Sequence, residues 1–210
     1  MEQVIYVTGF EAFPGLDQNP AAPIVEAMNG TIVGPFRIVG EVVSSSFAAA
    51  AEEVQEAIKE HKPIFVLHLS TTLLDTVLRL ESWAINEMSA STPDSEGFQP
   101  YNEAIDDEEE IHATYETDAP IDDIIAGIRE QGVPARVSRN AGRFIENCLY
   151  YRTLDHLAGI RKNRPKALLI HLPLPGLRPF GDLDEPPWDM EQLALAAHAT
   201  MKAIAACYAP

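Results

Sequence analysis

Cysteine is scarce: Cys148 and Cys207 are the only two in 210 residues. Two thiols near the ends of different segments make no disulfide framework, so a reducing, cytoplasmic setting is expected. Positive charge is scarce as well. Fifteen Lys and Arg stand against 32 Asp and Glu, a formal charge of −17, which repels a phosphate backbone or an anionic bilayer. Neither nucleic acid nor a membrane is expected as a partner. No apolar run nears the roughly 18 residues needed to cross a bilayer, and the opening "MEQVIYVTGF" reads as a strand rather than a secretory leader. Internal repeats and low-complexity linkers are lacking too. With 46% hydrophobic residues, the chain suffices for one substantial core but not two, so a single domain over residues 1–210 is expected.

What is present is a regular alternation. Apolar runs of the kind found in buried strands occur at residues 4–10, 36–43, 64–69, 76–85, 133–138 and 166–174. Between them, residues 22–30, 48–61, 121–132, 141–160 and 190–209 carry apolar positions every three or four residues, the period of an amphipathic helix. Strands alternating with crossover helices predict a three-layer α/β/α domain. Residues 76–100 hold two apolar runs with no helix between them, so the sheet is expected to be mixed and mostly parallel. The acid excess gathers between residues 103 and 123, which reads as a solvated loop or edge. The Pro-rich piece "LPLPGLRPFGDLDEPPWD" reads as the loop before the last helix.

Four stretches in order carry a resemblance. They are "VTGFEAFPGLDQNPA" (residues 7–21), "LESWAINEMSASTPDSEGFQP" (80–100), "SRNAGRFIENCLYYRTL" (138–154) and "ALLIHLP" (167–173). Together they resemble the pyroglutamyl peptidase I family, also called pyrrolidone carboxylate peptidase. The resemblance implies a compact α/β/α fold, assembly into homo-oligomers, and removal of N-terminal pyroglutamate from peptides by a Cys-His-Glu triad. By position it makes His171 the base and Glu81 the acidic member, while Phe10 and Phe13 wall the lactam pocket. Asn19 falls in the matching Asn-Pro step, and Thr71 takes the place of a substrate-holding glutamine. A small molecule or a peptide N-terminus is the ligand it implies, with no cofactor.

Two departures stand out. Aligned on Ser138, Ala141, Gly142, Arg143, Phe144, Asn147, Tyr150, Tyr151 and Leu154, the family's nucleophilic cysteine falls on Glu146. Cys148 lies two positions on, about 200° around a helix, and reads as a small core residue. In addition, the family's glycine-rich loop is replaced by "HLSTTLLD" (68–75), with Ser70, Leu73 and Leu74 at glycine positions. A carboxylate is a far weaker nucleophile than a thiolate toward an amide and would give an anhydride. Three readings follow: a catalytically silent homologue, a metal-dependent hydrolase using Glu81, Glu146 and His171, or family activity surviving through Cys148 or another nucleophile. Glu81 interrupts an apolar strand and needs a partner, for which His171 is the candidate. Trp83 and Trp188 read as packing residues, and His68 is left unassigned.

Overall fold

The computed structural model describes residues 3–12, 19–72, 75–182 and 184–209. In chain order these form β1 (Gln3–Phe10), α1 (Ala21–Met28), β2 (Ile32–Val33), β3 (Phe36–Val43), α2 (Ala49–His61), β4 (Phe65–Thr72), β5 (Leu78–Glu81) and β6 (Trp83–Ile85). They continue as β7 (Thr114–Glu116), α3 (Ile121–Glu130), β8 (Ala135–Ser138), α4 (Ile145–Ala158), β9 (Lys166–Pro173), a 3-10 turn (Pro179–Gly181) and α5 (Met190–Tyr208).

Seven strands make one sheet in the order β2-β3-β1-β4-β9-β5-β8. Neighbours are parallel except for β2 against β3 and β5 against β9, so the mixed, mostly parallel sheet expected from the sequence is present. Central strands are buried on both faces, which is why they read as unbroken apolar runs. Alternation then sorts their side chains. Ile5, Val7, Leu67, Leu69, Leu80, Leu168 and Ile170 pack with residues of α1, α3 and α5. Val4, Tyr6, Val66, Ala167 and Leu169 pack with residues of α2 and α4. Gly9 of the "VTGF" step admits α1: a Cβ there would lie 2.9 Å from the carbonyl oxygen of Ala21.

Two elements differ from expectation. The run at 76–85 is not one strand; it breaks at Ser82, and β6 leaves the main sheet to pair antiparallel with β7. That partner is a three-residue strand inside the acidic stretch, too short to show a period. The helix expected from residue 141 starts at Ile145 instead, because Gly142 has φ +85° and Phe144 is extended. Moving the start places Glu146 in the first turn.

Candidate active site

The alternation that builds the core also assembles the site. Leu78 and Leu80 of β5 face the α1/α3/α5 layer, so Arg79 and Glu81 face the other way. On β9, Leu168, Ile170 and Leu172 face that same layer, so His171 turns with Arg79 toward α4. Register sets His171 directly beside Arg79 on one side and Ser70 of β4 on the other.

Glu81 and His171 are 0% and 1% exposed. Nδ1–H of His171 donates to Oε1 of Glu81 at 3.0 Å. The remaining needs of the buried carboxylate are met by Arg79 Nε on Oε1 and by the Asn140 N–H on Oε2 at 3.1 Å. Arg79 in turn donates Nη1 to Asp75 at 3.1 Å and Nη2 to the Asn140 carbonyl at 3.2 Å. Its Nη2 also lies 3.3 Å from His171 Nδ1, so two donors crowd one carboxylate. Arg136 holds Asp75 through both oxygens, at 3.1 and 2.6 Å. Burial alone would raise the Asp75 carboxyl, but Arg136 and Arg79 hold it below the usual range. Sequence reasoning did not single out Arg79. The available signal was an arginine two residues before Glu81 in an apolar strand, hence on the same face.

Glu146 approaches from above the sheet. Its carboxylate Oε1 lies 3.8 Å from His171 Nε2, and its side chain is 17% exposed. The first turn of a helix favours a negative group. The imidazole therefore sits between two carboxylates, one at each ring nitrogen. Burial pulls the His171 pKa down, yet Glu146 and Glu81 together outweigh it and raise the value above its ordinary one.

Cys148 points elsewhere. It is fully buried in the α2/α4 core, its Sγ 3.6 Å from the Phe47 carbonyl and 3.7 Å from Met88 Sδ, and burial pushes its thiol pKa up. The metal-dependent reading meets a geometric obstacle. Glu81 and Glu146 lie at opposite nitrogens of one ring, so a single ion does not reach all three groups. Among the described residues no group of three His, Cys, Asp or Glu side chains is arranged to hold a metal ion.

On the recognition side, Phe10 is buried at the end of β1, whereas Phe13, Leu73 and Leu74 lie outside the described residues. Asn19 Oδ1 accepts from the Ala21 N–H at 3.1 Å and from the Thr71 hydroxyl at 3.0 Å. Its buried Nδ2 has no hydrogen-bond partner among the described residues. Phe47 meets Phe98 and Phe144 edge-on, at 5.8 and 5.5 Å between ring centres.

Several matching motif residues prove to be braces. Asp94 accepts from the N–H groups of Phe47, Glu96 and Phe98. Asn86 ties the acidic stretch through Ile105 and Asp106, and Asn147 clasps Ile85 and Glu87. Trp188 is buried and bonded to the Thr76 carbonyl, and Arg139 lies 5.0 Å over the ring of Trp83.

Known proteins share the fold that carries this site. The sequence profile of the pyroglutamyl peptidase family matches residues 3–206. Pyrrolidone-carboxylate peptidase of Bacillus amyloliquefaciens is 35% identical over 175 residues, 82% of this chain and 79% of that protein. The Yersinia pestis protein of the same name, strain Pestoides F, is 35% identical over 169 residues, 80% of this chain and 77% of its own. Among solved structures, pyroglutamyl peptidase I of Bacillus amyloliquefaciens superposes with a TM-score of 0.85 at 31% identity, covering 98% of both chains. Pyrrolidone carboxyl peptidase of Pyrococcus furiosus gives 0.83 at 26% identity, over 96% of this chain and 98% of that one. The chain belongs to the pyroglutamyl peptidase family.

Proposed function

We propose that this chain keeps the fold and a ligand pocket of the pyroglutamyl peptidases but does not run thiol-dependent hydrolysis, because Glu146 stands where the nucleophile would be. One observation carries this reading: His171 Nε2 faces the Glu146 carboxylate at 3.8 Å, while the nearest candidate thiol, Cys148, is turned into the core. Acyl transfer by a triad needs a neutral ring nitrogen that takes a proton from the attacking group. Two flanking carboxylates raise the ring's pKa above its ordinary value, and Glu146 offers Nε2 no thiol or hydroxyl proton to take. Attack by the carboxylate itself would form an anhydride, a poor route from an amide.

Binding is a separate matter. Phe10 supplies an apolar wall, and Asn19 Nδ2 is a buried donor without a partner among the described residues, which supports a carbonyl-bearing ligand such as a lactam or a peptide N-terminus. Both cysteines are free, which supports a reducing, cytoplasmic setting. The deciding measurement is chromophore release from a pyroglutamyl amide. The purified protein is expected to stay at the buffer rate. Turnover above the buffer rate that disappears in both Cys148→Ala and His171→Ala would refute the reading.

A further inference from the structure

The two carboxylates at His171 are held very differently. Glu81 is fully buried and both its oxygens are claimed, Oε1 by Arg79 and His171 and Oε2 by the Asn140 N–H. Glu146 is not tied down in this way. Its side chain is 17% exposed, and Oε1 stands 3.8 Å from His171 Nε2, longer than a hydrogen bond. Among the described residues no donor is hydrogen-bonded to it. Gly142 leaves the carboxylate uncovered on the loop side, where a Cβ would lie 3.5 Å from Oε1. Glu81 therefore serves the ring, whereas Glu146 keeps lone pairs free for attack.

The chemistry of an acid nucleophile sets the substrate. Attack on an amide carbonyl gives an anhydride, but attack on a saturated carbon displaces the leaving group and gives an ester, which water activated by an imidazole can cleave. The leaving group of an epoxide is its own ring oxygen, which departs readily only when it receives a proton. His171 is placed to give one. Glu81 fixes Nδ1, so Nε2 faces the attacking acid. Burial pulls the pKa of the ring down, but Glu146 and Glu81 carry it above the ordinary value, which suits a proton donor. The start of α4 has no side-chain cap, so backbone N–H groups of its first turn are open to the oxyanion that forms when the ester is cleaved.

We propose that this site hydrolyses epoxides, with Glu146 as the nucleophile, His171 as the acid and then the base, and Glu81 as the carboxylate that orients the ring. In the first step a Glu146 oxygen bonds to an epoxide carbon. The C–O bond of the three-membered ring breaks, its electron pair goes to oxygen, and that oxygen takes the proton from His171 Nε2. This leaves a hydroxyalkyl ester of Glu146 and a neutral imidazole. In the second step Nε2 takes a proton from water as the water oxygen adds to the ester carbonyl carbon. The tetrahedral oxyanion collapses and expels the diol oxygen, which picks up the proton of the newly added hydroxyl. Glu146 is again a carboxylate, His171 again carries its proton, and the sum is epoxide plus water to a vicinal diol. The proposal rests on the reading above, that an acid has replaced the thiol in a pocket that is kept, and it names the substrate class for that acid.

The test gives the purified full chain styrene oxide, an epoxide with an apolar body for the Phe10 wall, and follows phenylethanediol by chromatography. Diol should form at least about tenfold faster than in buffer. Glu146→Gln and His171→Gln, each checked by circular dichroism for unchanged helix content, should each lower that rate at least about a hundredfold. A single turnover with excess protein in water enriched in heavy oxygen gives a signature that needs no variant. The label should enter the peptide that carries Glu146, and the diol should keep ordinary oxygen. Diol formation at the buffer rate overturns the proposal, and so does label found in the diol instead of the peptide. If the pyroglutamyl amide is also left intact, the reading of a site without thiol chemistry survives that failure. Amide turnover lost in both Cys148→Ala and His171→Ala overturns that reading and the proposal together.

Discussion

His68 and His171 are buried on neighbouring strands and face the same layer of helices, yet their pKa values are shifted in opposite directions. His68 lies between two hydroxyls: its Nδ1 is 2.7 Å from Thr8 Oγ1 and its Nε2 is 3.1 Å from Thr153 Oγ1. Hydroxyls satisfy a neutral ring, donating to one nitrogen and accepting from the other, and burial pulls the pKa of His68 down to about 3. His171 has a carboxylate at each nitrogen, and its pKa is raised. Burial is common to both rings, so the partners decide the direction of the shift. A structural histidine and a candidate catalytic one are therefore told apart by what flanks them rather than by how deep they lie.

The largest expected effect is on acid stability. His68 binds a proton in the unfolded chain below about pH 6.5, whereas the folded chain resists protonation down to about 3. Stability should therefore fall with pH across this window, by on the order of 5 kcal/mol at about 1.4 kcal/mol per pH unit. Urea titrations against pH should show a flatter acid limb in His68→Gln. His171 has the opposite sign. Its folded pKa is raised, so its contribution is full below the unfolded value and is lost as pH rises through the folded one. His171→Gln should flatten the limb on that side instead.

Removing one flank of the His171 ring comes next. Glu81→Ala leaves Arg79, the Asn140 N–H and His171 without their shared acceptor. Breaking a buried ion pair in this way costs about 3–5 kcal/mol, readable as a lower urea midpoint with an unchanged slope.

Changing the other flank should alter chemistry rather than folding. Glu146→Cys puts a thiol at the α4 N-terminus facing Nε2, where the imidazole and the helix end both favour the thiolate. Release of chromophore from a pyroglutamyl amide should rise at least about a hundredfold over the parent, near 3 kcal/mol of barrier, and His171→Ala in that background should abolish the gain. Failure of a folded Glu146→Cys protein to gain any turnover would show that the pocket, with Ser70 and Thr71 in it, is also altered. The smallest effect belongs to the neutral ring. Thr153→Val removes one hydroxyl from His68 and should cost about 1–2 kcal/mol in thermal unfolding.

Much of the fold could be read along the chain because strands and helices leave local periods. Residues 36–43 and 166–174 are found as β3 and β9 almost to the residue. The break at Ser82 and the β6–β7 pairing could not be read, since a three-residue pairing with partly exposed side chains has no period to detect. Within the site, Glu81 stood out because a carboxylate interrupts an apolar strand, and His171 and Glu146 stood out through the surrounding motifs. Arg79, Asp75 and Arg136 did not, because an ion-pair chain is defined by partners and not by spacing.

Strand alternation and the residue types at 81, 146 and 171 were present in the linear order, as they depend on near neighbours alone. The pKa shift of each imidazole, the direction of the Cys148 thiol and the pairing of Asp75 with Arg136 came from contacts spanning 60 to 101 positions. Desolvation and Coulomb energy depend on distance through space, so these features exist only once the layers have packed.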